Sequence, residues 1–267
     1  MLFTKGHGTG NDFVILPDPD GALDLPADLV RELCDRHFGL GADGVLRVVR
    51  SAKHPDAADL AADAEWFMDY RNADGSVAEM CGNGVRVFTR YLVDQGWASF
   101  PVPVATRSGV VRAVAEADTI SVRMKPPRVY AASTATTGGF TLPGVAVDCG
   151  NPHLVCGLSA PLDSLDLTVA PDHDETLFPH GVNVEFVTPV ADLHVRMRVH
   201  ERGSGETLSC GSGALAVGAV TLRDAKLSAG RVTVEVLGGT LTVTATESGE
   251  WWLAGPAVLV ATGEVTL

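Results

Sequence analysis

Residues 80–92 read MCGNGVRVFTRYL and residues 209–221 read SCGSGALAVGAVT. Each segment opens on a Cys-Gly-x-Gly turn and continues with apolar residues at helical spacing. In the first, Val85, Phe88, Tyr91 and Leu92 form one stripe. In the second nearly every residue is small or apolar, which predicts a helix buried on most sides. Two more blocks recur in the same order. GNDFVI (10–15) resembles GNPHLV (150–155), and GADGVL (41–46) resembles GVNVEF (181–186). These two blocks stand 31 residues apart in both halves, from 10 to 41 and from 150 to 181. The interval to the Cys turn is 40 residues in the first half (41 to 81) and 29 in the second (181 to 210). An insertion in the first half is therefore expected, in the polar, Ala-rich stretch 51–63. Ordered self-similarity of this kind marks a duplicated domain, each copy supplying one Cys-bearing helix start.

Outward from these blocks the chain reads mostly as strands. FVIL (13–16), VLRVV (45–49), EWFMDY (65–70), VRAVAE (111–116), TISVRM (119–124), VEFV (184–187), LHVRMRV (193–199), RVTVEVL (231–237) and TLTVTAT (240–246) alternate or are rich in Val and Thr, the mark of a pleated, half-buried surface. Residues 27–37 read as a helix with Leu29, Leu33 and His37 on one stripe and Gly39 as its stop. Two further helices are expected just after Gly84 and Gly213.

Composition narrows the function. The 267 residues suffice for one large domain or two ordinary ones. A formal charge of -13 speaks against a nucleic-acid partner, which needs a basic face. The one short basic cluster, His194 to Arg202, alternates with apolar residues and reads as a strand with one wet face. Local arginines can still hold a small anionic substrate. The N-terminal MLFTKGHGTG has no apolar signal core, and no apolar run reaches the roughly 18 residues a membrane helix needs. With five cysteines, an odd number, the expectation is reduced thiols, a cytoplasmic location and no membrane.

The two Cys-Gly-x-Gly turns point to proton chemistry. A cysteine at a helix start has its thiolate favoured by the dipole and by unbonded backbone N–H groups, so both thiols are expected to be lowered. The same N–H groups make a carboxylate site. Two such thiols facing each other across a cleft could invert a stereocentre, one removing an α-proton and the other returning one to the opposite face. Cys34, Cys149 and Cys156 read as small buried hydrophobes. Cys149, His153 and Cys156 have a zinc-like spacing, but no second close pair completes a tetrahedral site, so no metal is expected. No Gly-x-Gly-x-x-Gly follows a strand, and none of Lys5, Lys53, Lys125 and Lys226 stands in a context that suggests a Schiff base. No cofactor is expected.

Six segments carry a resemblance to a known family: GTGNDFVIL (8–16), GLGADGVL (39–46), RNADGSVAEMCGNGVR (71–86), CGNPHLV (149–155), GVNVEFV (181–187) and HERGSGETLSCGSGA (200–214). They resemble the diaminopimelate epimerases, in order, from residue 1 to about 215. The resemblance implies an α/β (α+β) fold of two pseudo-symmetric domains, each a curved mixed sheet wrapped around a central helix, with the active site in the cleft between them. Residues 1–118 with 255–267 would form one domain and 119–254 the other. It implies an isomerase that interconverts LL- and meso-diaminopimelate, for lysine and peptidoglycan, without pyridoxal phosphate; a homodimer is compatible with it. Cys81 and Cys210 match the catalytic positions. Asn11, Asn72, Gly82, Asn83, Asn151, Asn183, Glu201, Arg202, Gly211 and Ser212 match substrate-binding positions, and His153 and Glu201 match residues that tune the thiols. Asn72 and Glu201 each stand nine residues before a Cys, which suggests related places beside the two thiols. One departure is visible: some family members carry a substrate-contacting Gln where this chain has Gly44, so that contact is expected to be lost or taken over by backbone or water. A racemase of another amino acid, histidine for example, a binding protein without catalysis, and an isomerase of the phenazine-pathway type, which lacks the Cys pair, are the rival readings.

Overall fold

The structure is a computed structural model that describes residues 1–266. In chain order its strands and helices are β1 (Leu2–Gly8), β2 (Asn11–Pro17), α1 (Ala27–Cys34), β3 (Gly44–Arg50), β4 (Trp66–Asn72), α2 (Gly82–Asp94), β5 (Val102–Thr106), β6 (Gly109–Glu116) and β7 (Thr119–Met124). There follow β8 (Arg128–Thr137), β9 (Phe140–Asp148), β10 (Pro152–Gly157), β11 (Asp172–His173), β12 (Asn183–Ala191), β13 (His194–Glu201), β14 (Gly205–Thr207), α3 (Gly211–Asp224), β15 (Gly230–Val236), β16 (Gly239–Ala245), β17 (Trp251–Gly255) and β18 (Val258–Glu264). Two compact units result, Met1–Arg123 with Gly255–Leu267, and Met124–Ala254. The β6–β7 hairpin, paired from Ala113↔Val122 to Glu116↔Thr119, keeps residues 119–123 in the first unit. Among the described residues no helix is long and apolar enough to cross a membrane.

The first unit is one mixed sheet in the order β18-β1-β2-β3-β4-β5-β6-β7. Its junctions run antiparallel, antiparallel, parallel, antiparallel, parallel, antiparallel, antiparallel. The second unit has the order β8-β9-β10-β12-β13-β15-β16-β17, with the same series of junctions. The repeat seen in three sequence blocks is thus a repeat of an eight-strand order, to which the second unit adds the short strands β11 on β8 and β14 on β13. The expected insertion is visible as well. Residues 51–65, with two short 3₁₀ turns, join β3 to β4, whereas Asp192 and Leu193 alone join β12 to β13.

Each sheet wraps a helix. In the first unit α2 packs on β1 to β6 and on β18, and Val85, Val87, Phe88 and Leu92 are wholly buried. All four residues Phe13–Leu16 of β2 are buried, because both faces of that strand are covered. Val14 and Leu16 pack with Val30, Leu33 and Cys34 of α1, and Phe13 reaches Gly84 at the start of α2. In the second unit α3 packs on β9, β10, β12, β15 and β16. A Cβ on Gly218 would stand 2.6 Å from Val243 Cγ1, so helix and sheet approach more closely there than any side chain would allow. Leu154, Cys156, Val184 and Phe186 face the other way, into a cluster with Leu158, Leu162, Leu165 and Phe178. His153 and Glu185, one position off in the strand alternation, therefore face α3.

Several elements differ from expectation. Helix α1 stops at Cys34, and its buried residues are Val30, Leu33 and Cys34 rather than a Leu29–Leu33–His37 stripe. Asp35 ends it: the residue is extended, and its carboxylate accepts the backbone N–H groups of His37 and Phe38, an Asx turn that competes with the helix. Helices α2 and α3 begin at Gly82 and Gly211, inside the Cys turns, because Cys81 and Cys210 are themselves the extended N-cap residues. Strands β8 and β9 are among those outside the expected runs; their Thr and Ala positions range from exposed to buried and carry little alternation.

Candidate active site

In the first unit the site grows from the junction of β2 with the start of α2. The Cys81 Sγ caps its own helix, accepting the Gly84 N–H at 3.3 Å. It stands 3.6 Å from Asn11 Oδ1, which also accepts from Asn83 Nδ2 at 3.3 Å. The direction of the Asn11 amide is set from behind. Its Nδ2 donates to Asp43 Oδ2 at 2.8 Å, which leaves the oxygen to meet the thiol. Asp43 is held in turn by the Asp12 backbone N–H and by Arg36. Burial alone would raise the Asp12 carboxyl, but Arg36 and Lys5 outweigh it and hold the group at about 2. Asp43 is thus a positioning residue that sequence reading missed, although it sits in the repeated GADG block.

Gly82 and Asn83 lie in the first turn of α2. Asn72 ends β4 opposite Gly44, and its side chain donates to Ser76 Oγ at 3.0 Å. That is the bond of a turn residue. The space beside Gly44 is filled: a Cβ there would lie 2.5 Å from Arg71 O and 2.8 Å from Tyr70 Cε2. A glutamine side chain at this position is therefore excluded by backbone and by the Tyr70 ring. Gly44→Gln is expected to cost roughly 1–3 kcal/mol by overpacking. Thermal unfolding checks it, and a melting temperature equal to wild type would contradict the fit.

In the second unit Cys210 is the buried N-cap of α3. Its Sγ lies 3.6 Å from Ser212 Oγ. Ser212 accepts from Asn151 Nδ2 at 3.4 Å, and Asn151 Oδ1 meets His153 Nε2 at 3.1 Å. His153 Nδ1 meets Glu185 Oε1 at 2.6 Å. Both His153 and Glu185 are fully buried. Because Nε2 faces a carbonyl oxygen it carries a hydrogen, so the second proton of the pair lies between Nδ1 and Glu185. Glu185 is a second residue that sequence reading missed. A lone acid in VEFV looks like a solvent-facing residue, yet its neighbours Val184 and Phe186 are buried on the opposite face.

Asn183 Oδ1 accepts the Arg202 backbone N–H at 2.9 Å, its Nδ2 reaches Pro152 O at 3.2 Å, and Arg202 Nη1 donates to His180 O at 3.0 Å. Glu201 accepts from the Thr207 hydroxyl. Gly211 opens α3 as Gly82 opens α2. Glu201 ends β13 as Asn72 ends β4, and those two strands hold the same place in the two sheets.

The start of α3 is electrically unfavourable to a thiolate. Burial pushes the Cys210 thiol well above the usual range, and Glu201 and Glu185 push it further. The expectation that a helix start lowers both thiols fails at Cys210, because desolvation and two carboxylates outweigh the dipole. Burial also raises Cys34 to about 11 and Cys156 to about 12, consistent with inert, structural thiols. His153 and Cys156 stand three apart in β10 and face opposite sides of the sheet, so they do not share a ligand set.

A sequence model of the family described as diaminopimelate epimerase matches residues 3–130 and 145–267. The diaminopimelate epimerase of Streptomyces coelicolor is 51% identical over 274 residues, covering 99% of this chain and 95% of the relative. That of Thermobifida fusca is 50% identical over 273 residues, covering 100% and 98%. Among solved structures, a phenazine biosynthesis protein of the PhzF family from Bacillus anthracis superposes with a TM-score of 0.73 at 17% identity, covering 100% of this chain and 99% of that one. A hydroxyproline epimerase from Agrobacterium vitis superposes with a TM-score of 0.69 at 16% identity, covering 98% and 91%. At those identities the two structures speak for the fold alone.

Proposed function

The chain belongs to the diaminopimelate epimerase family, and from that premise we propose that it interconverts LL- and meso-diaminopimelate by moving an α-proton between Cys81 and Cys210, with no cofactor. The observation that carries this reading is the duplicated helix start. Two units with the same eight-strand order each present a cysteine as the N-cap of their central helix. Duplication of a binding scaffold alone would not call for a thiol in both copies.

The chemistry follows from the groups. One thiolate takes the α-proton, breaking C–H and forming S–H, and leaves a planar carbanion conjugated with its carboxylate. The other thiol gives its proton to the opposite face, breaking S–H and forming C–H with inverted configuration. The developing charge is stabilised where the substrate carboxylate accepts first-turn N–H groups, those of Gly82 and Asn83 and those of Gly211 and Ser212. Asn11, aimed by Asp43, accepts from the Cys81 thiol when that thiol is protonated. Asn72, Asn151, Asn183 and Arg202 would read the unreactive amino-acid head, since a site built to hydrogen-bond rejects analogues that lack the partner groups. Glu201 and His153 bear on the thiol of the second unit. The proposed setting is the cytoplasm, in the supply of lysine and peptidoglycan precursor, with a homodimer as the assembly.

Proton NMR of LL-diaminopimelate with reduced enzyme in heavy water, without added cofactor, tests the reading. The expected result is loss of the α-proton signal as the meso isomer appears. Binding without exchange would instead favour a binding module, and exchange only with another amino acid would move the substrate.

A further inference from the structure

Arg86 lies at the fifth position of α2 and is the largest fully buried side chain among the described residues. Its Nη2 donates to Thr9 Oγ1 at 3.3 Å, its Nε reaches Pro256 O at 3.4 Å, and its Nη1 has no hydrogen-bond partner. No carboxylate among the described residues stands within ion-pair distance of it. An unpaired buried cation is costly, and an apolar residue of similar volume at such a site is commonly neutral or better for stability. The duplicated helix shows that packing makes no demand for charge. Arg86 follows Cys81 by five residues, and Leu215, wholly buried, follows Cys210 by five.

The charge has one ionisable neighbour that acts on it. Burial pushes the guanidinium down to about 10, and the Cys81 thiolate pulls it back up. By reciprocity the guanidinium, still charged at neutral pH, favours the thiolate of Cys81. The other charged groups around α2 are paired among themselves. Lys5 and Arg36 close on Asp12 and Asp43 at the far end of the Asn11 amide. Arg47, Arg71 and Arg107 close on Asp69. His7 Nδ1 accepts the Gly10 N–H. In the second unit the acidic groups that act on the thiol have the opposite sign: Glu185, buried, and Glu201, half-buried.

We propose that Arg86 is a positioning residue for the epimerisation, holding Cys81 as the resting thiolate while Cys210 rests as the thiol. The assignment rests on the two-thiol reading of the function and makes Cys81 the base for the isomer that presents its α-proton to it. It makes the two units electrically unlike despite their common topology.

The test is alkylation of the full-length, reduced protein by iodoacetamide across pH, followed peptide by peptide. Iodoacetamide reports thiolate without any need for turnover. In the wild type the Cys81 midpoint should fall below that of Cys210. In Arg86→Met it should rise by about one pH unit or more, a roughly tenfold slower reaction at neutral pH, with the Cys210 midpoint unmoved. Arg86→Lys should restore most of the shift, which a packing role would not do. A Cys81 midpoint at or above that of Cys210 in the wild type overturns the proposal without any variant. An unchanged midpoint in Arg86→Met, or in Arg86→Leu if the methionine variant fails to fold, overturns it equally. Alkylation as expected together with no turnover of diaminopimelate would remove the substrate reading and leave the thiolate assignment standing.

Discussion

Alanine at Cys81 or at Cys210, one at a time, is expected to lower epimerisation by about 10²–10⁴-fold, the range of a lost general acid or base. The reason is geometric as much as electronic. Inversion needs a proton taken from one face and another delivered to the opposite face, so neither thiol can do the work of both. The single variants should therefore be about as poor as the double variant, because groups that act as a unit do not contribute additively. Each variant should still wash the α-proton out of whichever isomer presents it to the surviving thiol. Chiral chromatography measures inversion, and proton NMR in heavy water measures exchange. Full epimerisation by either variant would sink the two-base scheme. The pH profile should report the thiols as a pair. Since burial, Glu201 and Glu185 hold the Cys210 thiol up, that residue keeps its proton well into the alkaline range.

Glu185→Ala should have the largest effect on stability, about 3–5 kcal/mol, the usual cost of breaking a buried pair by removing one partner. Glu185 is fully buried, its Oε1 lies 2.6 Å from His153 Nδ1, and its Oε2 has no hydrogen-bond partner. Alanine would leave His153 facing a hole, and His153 is what orients Asn151 toward Ser212 and Cys210. Glu185→Gln should cost much less, since a neutral amide keeps the shape and one hydrogen bond. Burial raises the Glu185 carboxyl above the ordinary range, with His153 opposing. A folded-state value above the unfolded one means that folding binds a proton here. The stabilisation from that proton is fully present below the ordinary Glu value near 4.3 and is lost as pH rises through the folded-state value. The stability difference between wild type and Glu185→Gln should thus be largest in acid and shrink with rising pH. Urea unfolding at several pH values checks it, and a difference that grows with pH would reverse the assignment.

Much of the fold was legible because its causes are local and periodic. The Val- and Thr-rich runs became strands, the two apolar runs became central helices, and three repeated blocks revealed the duplication. The Cys-Gly-x-Gly turns were legible for a related reason: a residue that caps a helix must stand at the end of the helical pattern. Helix α1 shows where that kind of reading stops. Its apolar stripe suggested three turns, but one aspartate, Asp35, supplied the competing turn. Gly44 shows another limit. Read alone it was a missing side chain, whereas the structure has Tyr70 and the β4 backbone occupying the place.

The sequence by itself determined the elements, the duplication and the two cysteines at matching helix starts, because these depend on neighbours a few residues away. Only the tertiary structure decided the charges around those cysteines. Asp43 behind Asn11 and Glu185 behind His153 come from parts of the chain distant in sequence, and Arg86, within α2 itself, is taken out of water by what packs around that helix. Whether such a group is solvated or buried depends on which face of a strand meets which helix. In water an aspartate, a glutamate and an arginine are ordinary surface residues. Removed from water, the glutamate and the arginine act strongly on the nearest proton, and that is how two helices with the same start come to hold their thiols in different surroundings.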